Sequence, residues 1–79
     1  MSHLVDLVKL SQIDKLIRQR LTGNPDEFAK RLNIPLGTLL RYIAYLKEEL
    51  DAPVLYDNEM LSFIYSYAPN FHLEFEPSN

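Results

Sequence analysis

Pro25-Asp-Glu-Phe-Ala-Lys-Arg-Leu32, then Asn33-Ile-Pro35, then Leu36-Gly-Thr-Leu-Leu-Arg-Tyr-Ile-Ala-Tyr-Leu-Lys47 is the stretch that decides the fold. Asn24 followed by Pro25 is a strong helix start. Asparagine caps free amides, and proline at the first helical position has no amide to leave unpaired. Asp26 and Glu27 suit the positive end of the helix dipole, so a helix over residues 25–32 is expected. Asn33 tolerates left-handed turn geometry, and Ile34 plugs the gap before the next helix. Over residues 36–50, Leu39, Ile43, Leu46 and Leu50 keep helical spacing and predict a buried stripe. Gly37, Arg41, Ala44 and Glu48 lie opposite, flanked by Leu40 and Lys47 on one side and Thr38 and Tyr45 on the other. A short helix, a tight turn and a longer helix make a helix-turn-helix, whose second helix usually lies in the DNA major groove.

Upstream, a first helix is expected over residues 4–21, with Ile13, Leu16, Ile17 and Leu21 as its core stripe and Thr22-Gly23 as its end. Leu4, Val5, Leu7, Val8 and Leu10 add more apolar surface than one side of a small core needs. That surplus either reaches over a sheet or forms a dimer contact, for which Leu4, Val5, Leu7 and Val8 are the candidates. Downstream of Asp51-Ala52-Pro53 the period changes from helical to alternating. Strands are expected over residues 54–56 and 62–67, with Phe63, Tyr65 and Tyr67 on one face and Asp57-Asn58-Glu59-Met60 as the turn. Phe71, Leu73 and Phe75 alternate with His72, Glu74 and Glu76, which makes a third strand over residues 71–75 an option.

The chain has 79 residues, 47% hydrophobic and 24% charged, which suits one small globular domain rather than disorder. The absence of cysteine excludes disulfide frameworks and thiolate zinc sites and makes a reducing cytoplasm the expected location. No secretory signal or membrane span is read in the sequence. The net charge of −3 is unevenly distributed. Residues 1–47 hold all eight Lys and Arg against four acids, whereas residues 48–79 hold seven acids and no Lys or Arg. Either both halves simply have solvated faces, or the helical side faces phosphate and the C-terminal side is repelled by it.

Phe28, Ala29 and Leu32, then Ile34, then Thr38, Leu39, Arg41, Ile43 and Leu46 fall in register on the pattern of the winged helix-turn-helix domains of bacterial transcriptional regulators. The chain resembles their biotin-repressor-like branch. The resemblance implies a mainly α fold with a small β wing: a three-helix helix-turn-helix bundle followed by a two- to three-stranded antiparallel sheet, as one domain over residues 1–79. It implies regulation of transcription through duplex DNA, with no cofactor. Arg41 would clamp guanine or contact phosphate, Thr38 and Lys47 would reach the backbone, and Lys30 and Arg31 would add phosphate contacts. Gly37, Leu40, Ala44 and Tyr45 complete the face presented to DNA. A homodimer is expected, because such sites are read as two half-sites.

The chain also departs from the pattern. Pro35 stands where a capping Ser is common, Leu36, Gly37 and Leu40 replace polar or basic residues, and the wing turn carries Asp57 and Glu59 instead of Arg or Lys. An acidic wing loses phosphate contacts. The alternative function is therefore a protein–protein interaction module on the same scaffold, with Leu36 and Leu40 meeting the partner. Enzyme readings find little support. His72, Glu74 and Glu76 share a face at strand spacing, which alternation gives any solvated polar face, so no metal site is assigned. With only Gly23 and Gly37 there is no phosphate loop. In so short a chain neither a small-molecule substrate site nor an effector site is expected.

Overall fold

The computed structural model describes residues 6–71 and 73. Three helices, α1 (Leu7–Gln19), α2 (Pro25–Leu32) and α3 (Leu36–Glu48), precede an antiparallel hairpin of β1 (Val54–Asp57) and β2 (Ser62–Tyr65). The protein is thus a helix bundle with a small β wing. Among the described residues the sheet has two strands, paired Val54 with Tyr65 through Asp57 with Ser62. Phe71 and Leu73 are not in a strand, and the rest of the option over residues 71–75 lies outside the described residues.

Local chemistry sets the boundaries. Asp6 begins α1, its carboxylate accepting from the Val8 and Lys9 amides. At α2 the Asn24 side chain accepts from the Glu27 amide (2.8 Å) while Glu27 accepts from the Asn24 amide (2.9 Å), a complete capping box. Gly23 is required there: its φ is +76°, and a Cβ would sit 2.6 Å from Glu27 Oε1. Asn33 takes the left-handed position that closes α2 (φ 58°). Lys9 Nζ donates to the Leu32 carbonyl at 3.0 Å, so α1 caps the C-terminus of α2.

The core is built from Leu10, Ile13 and Ile17 of α1, Phe28, Ala29 and Leu32 of α2, Leu39, Tyr42, Ile43 and Leu46 of α3, and Val54, Phe63 and Tyr65 of the hairpin. Ile34 packs against it from the turn between α2 and α3. Phe28 meets Phe63 at 5.8 Å between ring centroids, and Phe63 meets Tyr56 edge-on at 5.1 Å. The first pair fastens the wing to α2, and the second packs the two strands of the wing against each other.

Several expectations are corrected. α1 ends at Gln19 rather than Leu21, because Arg20 turns left-handed (φ 59°) and its amide donates to the Ile17 and Leu16 carbonyls. Leu21 therefore leaves the stripe and is 59% exposed. Leu10 is not surplus but fully buried core. Leu7 is exposed and Val8 half-buried, while Leu4 and Val5 lie outside the described residues. α3 stops at Glu48 instead of residue 50, and β2 stops at Tyr65, which leaves Tyr67 66% exposed rather than on the core face.

The early end of α1 has a long-range cause. The Thr22 amide donates to Ser62 Oγ (3.1 Å), and the Phe63 amide donates to Thr22 Oγ1 (2.8 Å). Thr22 and Ser62 are both buried. The loop after α1 thus satisfies the free edge of β2 with a side chain, where another strand would otherwise pair.

Candidate nucleic-acid interface

α3 follows α2 after three residues, Asn33, Ile34 and Pro35. Pro35 caps it with no side-chain hydrogen bond, and its first turn holds no acid. The first amides of α3 are therefore open to an external acceptor. The buried stripe of Leu39, Tyr42, Ile43 and Leu46 faces the core. Tyr42 was not among the expected core residues; its hydroxyl accepts from the Asp6 amide at 3.0 Å, tying the start of α1 to the back of α3.

With that stripe fixed, Gly37, Leu40, Arg41 and Lys47 are exposed, as are Lys30 and Arg31 in the last turn of α2. Arg41, Lys30, Arg31 and Lys47 have no ion pair or side-chain hydrogen bond among the described residues. Thr38 and Ala44 are half-buried at the edges of this face. Tyr45 is also half-buried and packs against the core, so it stands apart from the outward surface. Leu36 and Leu40 are 37% and 49% exposed on the flank shared with Lys47.

Gly37 has no structural reason to be glycine. It lies in the first turn of α3, and a Cβ there would meet nothing within 4 Å. Gly37→Ala is expected to stabilise the domain by about 0.5 kcal/mol, since alanine loses less backbone freedom on folding. Thermal melting checks it.

The wing contributes negative charge. Asp57 accepts from the Glu59 and Met60 amides (2.8 and 3.1 Å), so its carboxylate shapes the turn. Glu59 beside it is exposed.

A second polar cluster joins wing and helices, and the sequence reading missed it. Asp14 is buried on α1. Both its oxygens accept from Arg18 Nε (3.0 and 2.9 Å), and Oδ1 also accepts from the Tyr65 hydroxyl (2.6 Å). Arg18 then donates to the Phe71 carbonyl (2.8 Å) and lies 5.5 Å from both the Tyr65 and Phe71 ring centroids. Burial, reinforced by the hydrogen bond to Asp14, pushes the Tyr65 phenol far above its ordinary value. The one local signal was the i, i+4 spacing of Asp14 and Arg18. Among the described residues no group of acids and histidines could hold a metal, and no helix is long and apolar enough to cross a membrane. His72, Glu74 and Glu76 lie outside them.

No protein-family model, curated protein or solved structure matches the chain.

Proposed function

We propose that the chain is a small winged-helix domain that binds duplex DNA through α3, with regulation of transcription as its output. The observation that carries this reading is Arg41, exposed on the outward face of α3 and without a partner among the described residues. Lys30 and Arg31 in the last turn of α2 and Lys47 in the last turn of α3 add positive charge from the same two helices. The open amides of the first turn of α3 suit a phosphate oxygen. Gly37 would let the nucleic-acid backbone approach where a side chain would intervene. The acidic wing turn stays off the phosphates, which makes this a weaker binder than one with a basic wing. Two copies would read two half-sites, paired through Leu7 and Val8 at the start of α1. The cytoplasm is the location that suits this reading.

A second reading draws on the exposure of Leu36 and Leu40. On it, the flank of α3 meets a protein partner and DNA affinity is negligible.

An amide NMR titration of the labelled chain with a mixed-sequence duplex at low salt separates the two. The first reading expects shifts concentrated over residues 35–47 and reversed by salt, and Gly37→Ala to weaken them despite its gain in stability. Absence of shifts at duplex concentrations of about 0.1 mM, where non-specific binders respond, would reject it in favour of the second.

A further inference from the structure

The C-terminal end of α1 and the chain leaving β2 border an open cleft of about 310 Å³, with Arg18, Arg20, Ser66, Tyr67 and Pro69 in its walls. That volume reaches the lower end of the range of small-molecule sites. The cleft therefore supplies a room that the length of the chain did not suggest.

Its two guanidinium groups differ. Arg18 is held, with Nε on Asp14, Nη2 on the Phe71 carbonyl, and Cζ 5.5 Å from both the Tyr65 and Phe71 ring centroids. Asp14 balances its charge, and its other terminal nitrogen has no partner among the described residues. Arg20 brings uncompensated charge: it is exposed and has no partner among the described residues.

Arg20 also occupies an unfavourable backbone conformation. At φ 59°, ψ 39° it holds the left-handed position that ends a helix, which glycine fills at less cost. The capping bonds to Ile17 and Leu16 use only the Arg20 amide, which any residue but proline would provide. Among the described residues nothing uses the arginine side chain. A strained residue whose side chain points to no structural role, on the wall of a cleft, is a candidate for function.

We propose that this cleft binds a small organic anion, a carboxylate or phosphate ester on a flat apolar body. Arg20 and the free terminal nitrogen of Arg18 hold the anionic head, with the Ser66 hydroxyl beside them. The Tyr67 ring and Pro69 cover the flat body. The Tyr65 hydroxyl, committed to Asp14, is left out of the contacts. The site is also remote from the proposed DNA face. Asp6, at the other end of α1, donates its amide to the Tyr42 hydroxyl on the back of α3, and a helix of 13 residues spans about 20 Å. The proposal therefore stands independently of DNA binding.

The test is an amide NMR titration of the full chain with phenyl phosphate, benzoate and inorganic phosphate. Saturable shifts at Arg20, Ser66 and Tyr67 are expected with one or both aryl anions, whose relative affinities identify the preferred head group. Binding should be at least about tenfold tighter than that of inorganic phosphate. Arg20→Gln should lose about tenfold in affinity with an unchanged circular dichroism spectrum. Arg20→Gly should melt at a higher temperature, through relief of the left-handed strain, and lose the ligand too. The proposal is overturned if neither aryl anion saturates by about 10 mM, if inorganic phosphate binds as tightly as both, or if Arg20→Gln binds as well as the natural chain.

Discussion

Asp14→Ala is expected to destabilise the domain by about 3 kcal/mol, measured as a drop in the urea midpoint with the slope unchanged. The carboxylate accepts three hydrogen bonds, two from Arg18 Nε and one from the Tyr65 hydroxyl. Removing it strands the Tyr65 hydroxyl in a buried site and releases the guanidinium from its place beside the Tyr65 and Phe71 rings. Arg18 is a third exposed and recovers water, which keeps the loss below that of a fully buried pair. Tyr65→Phe alone should cost about 1–1.5 kcal/mol, because Asp14 then keeps Arg18. The double variant should cost less than the sum of the two, because the orphaned hydroxyl is gone. Strict additivity would show that the two groups do not share a network.

The same cluster sets an alkaline limit. The Tyr65 phenol ionises in the unfolded chain near its ordinary value of about 10, and in the folded protein only well above it. Its contribution to stability is therefore complete below about pH 10 and declines as the pH rises beyond that, where the unfolded chain alone loses the proton. Tyrosinate absorbance during alkaline titration should accordingly show one of the five tyrosines appearing only with unfolding.

The helices and the hairpin were legible because their signals are local. Asn24-Pro25 with Glu27 three residues on announces a capping box, and Leu39, Ile43 and Leu46 mark the face of α3 that must be buried. The end of α1 was not legible. Gly23 is the obvious helix stop, but Thr22 must reach Ser62, forty residues away, so the chain turns left-handed earlier, at Arg20. Asp14 misleads for a related reason. An acid on a core-facing position reads as a break in the stripe until Tyr65, from the other end of the chain, supplies its donor. The alternation that points Tyr67 to the core face stops with β2 at Tyr65. For the candidate interface, periodicity placed Arg41 outward. The residues that carried the family resemblance are mostly core positions, which specify packing and leave the partner open.

Arg41→Ala is expected to lower the affinity for duplex DNA at least about tenfold at low salt, with stability nearly unchanged. Arg41 is exposed and has no intramolecular partner among the described residues, so truncation removes no contact of the fold. How the loss is distributed tells which group on the duplex Arg41 meets. A phosphate contact gives a uniform loss across sequences, and the slope of log affinity against log salt falls by about one. A bidentate guanine contact instead costs about 1–3 kcal/mol on the preferred sequence and little on others. Leu40→Ser is the counterpart, because it removes exposed apolar surface without adding charge. If α3 reads DNA, Arg41→Ala dominates and Leu40→Ser reports at most a thymine methyl contact. If its flank docks a protein, Leu40→Ser impairs that association and Arg41→Ala leaves it intact. An Arg41→Ala variant that bound duplex as tightly as the natural chain, with the same salt slope, would remove the residue on which the DNA reading rests.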